Sequence, residues 1–239
     1  MTGTPTEFDQ YAAEYDRALA QGLELSGEDK DYFAEGRAAR LAKCLQTEAV
    51  HPREVLDFGC GTGQSTPHLL SHLAAERVVG VDISDGQLAV ARRDHGSARA
   101  TFHRLDEYRP AGQIDVAFCS GVFHHIPPDE RAAMVDYVFR SLRPGGLFAL
   151  WENNPWNPGT RMVMRRIPFD RNAIMLPAPA ARRLLRAGHF EVVSVRFAFV
   201  FPRALRWLRW LEPLLAWLPA GAQYQVLARK PRSGQRGNL

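Results

Sequence analysis

The sequence predicts an α/β fold in which a mostly parallel sheet is covered by helices on both faces. Three observations predict it: short apolar runs alternate with helical patterns from residue 55 onward, a glycine-rich turn joins the first run to its helix, and acidic residues stand at the ends of successive runs. At 239 residues, 46% hydrophobic and 23% charged, the chain can bury a sizeable core. That composition excludes disordered, collagen-like and disulfide-stapled architectures. Cys44, Cys60 and Cys119 form no C-x-x-C pair and no disulfide framework, which fits a reducing setting.

A helical cap is expected over residues 1–47, where Phe8, Tyr11, Tyr15 and Leu19 recur at spacings of three and four, with a second helix over 28–47. An α/β core is expected over 48–151. Its strands are Val55–Phe58, Val78–Val81, Ala100–His103, Ile114–Cys119 and Leu147–Trp151, with helices over 65–75, 86–95 and 129–142 between them. Arg143-Pro144-Gly145-Gly146 reads as a helix stop and turn. Residues 152–176, rich in Pro, Asn and Arg, read as an inserted loop or lid. The remainder, 177–230, holds a helix at 179–187, a strand at 191–201, an amphipathic helix at 203–218 and a last strand at 222–230, antiparallel to the one before it. The whole is expected to be a single domain.

Net charge is +4, but residues 1–150 carry −7 and residues 151–239 carry +11. An acidic half followed by a basic half is compatible with an anionic ligand or surface near the C-terminal part, or with arginines on solvated faces. The acidic opening (Glu7, Asp9, Glu14, Asp16) does not read as a secretory leader, and 204–220 is interrupted by Arg206, Arg209, Glu212 and Pro213, so it does not read as a membrane span.

The sharpest local signal is VLDFGCGTG at 55–63: a strand, then Gly59-x-Gly61-x-Gly63, then a helix. Glycines here let backbone N–H groups approach a ligand closely. No Lys-Ser/Thr follows, so this is not a P-loop, and the spacing differs from the GxGxxG of dinucleotide binders, which argues against a nicotinamide oxidoreductase. Asp57 precedes the loop, a placement suited to a cation or amine. Asp82 ends the second strand, 19 positions past Gly63, where a carboxylate can accept from ribose hydroxyls. Asp106 follows the third strand, and Cys119-Ser120-Gly121 closes the fourth with small residues.

These blocks, with VVGVDIS, IDVAFCSGVFHHI and LRPGGLFAL, stand in the order and spacing of the class I S-adenosylmethionine-dependent methyltransferases, which the chain resembles over about residues 50–150. FDQYAAEYD resembles the N-terminal helix of ubiquinone/menaquinone-type and other small-molecule members. The resemblance implies a Rossmann-like seven-stranded sheet with an antiparallel last strand. It also implies S-adenosylmethionine as cofactor, bound by Tyr15, Asp57, Gly59, Cys60, Gly61, Asp82, Ile83, Asp106, Ser120 and Gly121. The implied reaction is O-, N- or C-methylation of a small-molecule or lipid-like acceptor by in-line displacement, giving S-adenosylhomocysteine.

On the acceptor side, His124 and His125 follow the fourth strand and are candidates for a general base, or for residues that order the loop. No third ligand stands near them in sequence, so no metal is expected. Tyr11, Glu152, Asn154, Trp156 and Arg161 are the expected substrate residues, and Arg161, Arg165, Arg166 and Arg171 could meet an anionic acceptor. Asn154-Pro155-Trp156 lies after the fifth strand, whereas the Asn-Pro-Pro-Tyr motif of nucleic-acid amino-methyltransferases belongs after the fourth; no nucleic-acid partner is expected. At 100° per residue, helix 203–218 gathers Trp207, Trp210, Leu214 and Trp217 on one arc, with Arg206, Arg209 and Glu212 opposite. That arc fits core packing, a greasy acceptor, or peripheral contact at the inner membrane face of a cytoplasmic protein. Two rival functions remain: a membrane-binding protein with a vestigial cofactor site, and a non-methyltransferase use of the sulfonium such as cyclisation.

Overall fold

One seven-stranded sheet organises the computed structural model, which describes residues 21–170 and 173–232. Its strands are β1 (Glu54–Phe58), β2 (Arg77–Asp82), β3 (Ala100–Arg104), β4 (Ile114–Ser120), β5 (Leu142–Asn153), β6 (Glu191–Ala198) and β7 (Gln223–Arg229). They lie in the order β3-β2-β1-β4-β5-β7-β6, and β7 runs antiparallel to both its neighbours. Sequence order reverses beside β1 and β4, and ligands bind at such a switch point, outside the carboxyl ends of the strands.

Two apolar layers cover the sheet because successive strand residues face opposite sides. Leu56, Phe58, Ala117 and Phe148 pack towards α4 (Arg131–Ser141) and α6 (Ala178–Ala187). Val55, Val116, Phe118 and Ala149 pack towards α1 (Lys30–Thr47) and α2 (Thr66–His72). A third cluster joins α3 (Asp85–His95) to β3 through Leu88, Ala91 and Phe102. Strands buried on both sides explain why the sequence shows short apolar runs rather than alternation. Asp29 caps α1 by accepting from the Tyr32 N–H at 2.8 Å, and Ser84 caps α3.

Three elements differ from the sequence expectation. The Arg143–Gly146 stretch does not end the pairing: β5 begins at Leu142, and the register shifts between its partners Ile114 and Val116 to absorb the turn. The 152–176 segment is not simply a loop. It carries α5 (Pro158–Arg166), whose start is written in the sequence as Asn157-Pro158, with the Asn157 side chain accepting from the Thr160 N–H at 2.9 Å. Residues 203–218 are not one α-helix but a 3-10 segment, Arg203–Leu211, followed by a single α-turn, Glu212–Leu215, with Pro213 in its first turn.

That last change turns the segment inside out. Glu212 is buried: it pairs with Arg40 at 2.5 Å and accepts from the Val200 and Phe201 N–H groups. Arg209 also points inward, bonding Glu28 at 2.7 Å and stacking over Tyr32. Trp207, Trp210 and Trp217 face outward, 68%, 71% and 74% exposed, so core packing is excluded for these three rings. No helix among the described residues is long and apolar enough to cross a membrane.

Candidate active site

The glycine loop leaves β1 in a left-handed course: Gly59, Gly61 and Gly63 have φ of 70°, 54° and 79°. At Gly59 a Cβ would also stand 2.3 Å from Val122 Cγ2, so the loop seats against the turn after β4. The Val81 carbonyl accepts from the Gly59 and Cys60 N–H groups, while the Cys60 thiol packs into the α3 cluster and leaves only backbone for a ligand. Asp82 links loop to strand: one carboxylate oxygen accepts from Gly61 N–H at 2.8 Å and the other from Ser84 N–H at 3.0 Å. A carboxylate offers about four lone-pair sites, so acceptor capacity remains for hydroxyls.

Asp57 is the unusual group. It is buried, and its Oδ2 has no hydrogen-bond partner among the described residues. Burial first, then the neighbouring Asp82 charge, pushes its pKa up to about 7, with the Arg37 guanidinium working in the opposite direction. Ile83, beside Asp82, is 46% exposed, an apolar surface at the strand end. Asp106 is held by Arg104 at 3.0 Å, and that hydrogen bond keeps its carboxyl below the usual range.

Across the sheet end, a carboxylate organises the turn after β4. Glu152 Oε1 accepts from the N–H groups of Val122 (3.1 Å) and Phe123 (2.8 Å), and its Oε2 lies 2.6 Å from His124 Nδ1. Asp170, brought in by the segment after α5, lies 3.6 Å from His124 Nε2 and 3.2 Å from His125 Nε2. Burial alone would lower the His124 pKa, but Glu152 and then Asp170 outweigh it and push it up to about 10. The two carboxylates thus favour the protonated imidazole. Burial opposes ionisation of Asp170 as well, but hydrogen bonds from both histidines hold its carboxyl below the usual range. The ground for expecting no metal, the missing third ligand, also fails: His124, His125 and Asp170 present ligand atoms within 4.8 Å of one another.

His124, His125 and Asp170 line a 480 Å³ cavity together with Ser120 and Gly121. Its walls include Phe33, Met164, Ile167, Phe199 and Phe201, with Lys30 and Arg37 among its polar groups. Sequence reasoning missed this wall: Arg37 and Phe33 read only as parts of a second helix, and the sole hint was an arginine and an aromatic one turn apart.

Two expected substrate residues are taken up by structure. Glu152 and Asn154 are both buried, and Asn154 donates to the Pro219 and Gly221 carbonyls while accepting from the Trp156 N–H. Glu152 fixes the turn after β4, and Asn154 ties the chain after β5 to the segment before β7. Trp156 and Arg161 are exposed outside the cavity wall, whereas Asn153, Asn157 and Thr160 line it. Tyr11, Tyr15 and Arg171 lie outside the described residues.

The sheet order and the loop-and-acid ends of β1 and β2 define a class I methyltransferase fold, and comparisons with known proteins agree. Residues 55–146 match a family model described as a methyltransferase domain. The trans-aconitate 2-methyltransferase of Methylobacterium nodulans is 30% identical over 82% of this chain and 83% of its own length. That of Variovorax paradoxus is 26% identical over 74% and 76%. Among solved structures, an S-adenosylmethionine-dependent methyltransferase of Thermotoga maritima superposes with a TM-score of 0.62 at 19% identity, over 93% of this chain and 97% of that one. One from Mesorhizobium loti gives 0.57 at 21%, over 80% and 96%. The chain belongs to the class I S-adenosylmethionine-dependent methyltransferases and is a small-molecule methyltransferase.

The residues present fit that cofactor. Asp57 offers a buried carboxylate oxygen with no partner among the described residues, suited to a cationic ammonium, and Asp82 places a second carboxylate, a group that accepts from hydroxyls, at the end of β2.

Proposed function

We propose that this chain methylates the carboxylate of a partly apolar small acid. The cofactor supplies an electrophilic methyl on a sulfonium. On the protein side, Asp57, Asp82, Ile83 and Asp106, with the backbone of Gly59, Cys60, Gly61, Ser120 and Gly121, hold it at the strand ends. The acceptor lies in the 480 Å³ cavity, its apolar part against Phe33, Met164 and Phe199. The observation that carries this reading is the lining of that cavity, which sets the cationic side chains of Lys30 and Arg37 beside Phe33, Met164 and Phe199. A carboxylate is already deprotonated at neutral pH, so no base is required, and orientation supplies the rate. His125, which also lines the cavity, then helps to aim one oxygen at the methyl. The relatives named for trans-aconitate, itself an acid, support an anionic acceptor.

The test is a panel of aliphatic and aromatic acids, with esters detected by mass. Methyl esters that vanish in His125→Ala, with cofactor affinity kept, are expected. Methylation of neutral amines or phenols but of no acid would overturn the reading.

The outward tryptophans favour a second element, contact of segment 203–218 with a lipid surface that supplies or receives an amphiphilic acceptor. Three indoles beside Arg203 and Arg206 suit an interface better than water. Vesicle flotation lost in a Trp207→Ser/Trp210→Ser/Trp217→Ser variant is expected; no flotation of the unaltered chain sinks it.

A further inference from the structure

A second cavity, of 570 Å³, lies between α1, β6, β7 and the Glu212 turn, and shares no lining residue with the acceptor cavity. Its sheet wall is a polar row where an apolar one is expected. Trp151, Gln225 and Arg196 stand in register on β5, β7 and β6, and all three line the cavity. Trp151 and Gln225 are buried, yet neither the Trp151 indole N–H nor the Gln225 Nε2 has a hydrogen-bond partner among the described residues. Gln225 is oriented from its other end, where Oε1 lies 3.6 Å from the Cys44 thiol. Orphaned buried donors are costly, and native proteins retain them where something else accepts.

The charges around these donors have one sign to spare. Arg40 is paired with Glu212, Arg209 with Glu28, and Glu48 with Arg229. Lys43 on α1 and Arg196 on β6 form no ion pair among the described residues, and both are exposed at the rim. Two neutral donors within and two unpaired cations at the edge match a ligand that brings both acceptor oxygens and negative charge. Pro213 and Ala216, from the segment that carries the outward tryptophans, complete the rim.

We infer that this cavity is a binding site for a phosphate group, held by the donors of Trp151 and Gln225 and by the charges of Lys43 and Arg196. The phosphate is either free or the headgroup of an anionic lipid, and the chemistry of recognition is the same. The site is separate from methyl transfer and does not depend on the acceptor's identity.

The test titrates the full chain with inorganic phosphate by calorimetry and, in parallel, with vesicles of phosphatidylglycerol or phosphatidylcholine. Phosphate binding that weakens at least tenfold in Lys43→Gln/Arg196→Gln, and severalfold in Trp151→Phe, establishes a free-phosphate site. Binding only to phosphatidylglycerol vesicles, with the same losses, establishes the lipid headgroup as the source. A control of equal charge change, Arg182→Gln/Arg183→Gln on α6, is expected to bind like the unaltered chain. Equal weakening in the control, or no binding to either probe, overturns the inference. S-adenosylmethionine affinity, measured on the same samples, stays unchanged throughout and reports separately on the methyltransferase site.

Discussion

His124 Nδ1 and Glu152 Oε2 stand 2.6 Å apart inside the protein, and through them the end of β5 holds the turn after β4. The same carboxylate accepts two backbone N–H groups of that turn, so one side chain fixes both the turn and the imidazole. Glu152→Gln removes the charge that holds the His124 proton. It is expected to cost about 3 kcal/mol of stability, the usual penalty for breaking a buried pair, and to lower the His124 pKa markedly. Denaturant unfolding and the imidazole nitrogen shifts check the two effects separately.

Asp57 gives a pH signature. Its folded pKa, about 7, lies above the value near 3.9 of an unfolded aspartate. Ionised Asp57 therefore costs stability, and the cost grows as pH rises from about 4 to 7 and is constant above. Asp57→Asn is expected to stabilise the ligand-free protein at pH 8 by a few kcal/mol, since each tenfold change in proton affinity is worth ~1.4 kcal/mol, while changing little at pH 4. A cationic cofactor favours the charged form, so cofactor affinity rises with pH up to about 7 and then levels. Calorimetry in buffers of different ionisation enthalpy detects the released proton; an affinity independent of pH in the unaltered chain would refute this account.

Gly59→Ala is expected to destabilise the chain by about 2–4 kcal/mol, from a left-handed backbone and overpacking together. The backbone has φ of 70°, and the new methyl would collide with Val122. Pairing this variant with Val122→Ala recovers part of the loss if the collision is real, and thermal melts of the two proteins decide it.

The inverted segment predicts a contrast between its two sides. Replacing Trp207 and Trp210 by Ser leaves stability within about 0.5 kcal/mol, as for exposed positions generally. Glu212→Gln strands Arg40 and weakens the acceptor for two backbone N–H groups, at a cost of about 2–3 kcal/mol. Urea unfolding midpoints order the two variants.

Most of the sheet was legible because parallel strands buried on both sides leave continuous apolar runs, and because Asp57, the glycines and Asp82 fall at fixed distances along one β-α-β unit. The acceptor end was not. Asp170 stands 45 residues beyond His125, and nothing local joins them. Glu152 and Asn154 looked like ligand-facing polar residues because the strand was expected to end at Trp151, whereas β5 runs on to Asn153; their partners in the turn after β4 and before β7 exist only once the chain has folded. The Trp-rich segment misled for a different reason. Its tryptophans and its Arg209 and Glu212 do lie on opposite sides, but which side turns inward depends on Glu28, Arg40 and the Val200 and Phe201 N–H groups, which only folding brings to it.

The arrangement of tryptophans also determines what light can report about this protein. Of five indoles, Trp207, Trp210 and Trp217 stand in water on one short segment, Trp156 is half exposed, and Trp151 alone is enclosed. The native emission is already that of hydrated indole, so losing the core changes its colour little. Covering one surface segment changes it greatly, so the chain carries an optical gauge of occlusion at that segment and a poor one of its own unfolding.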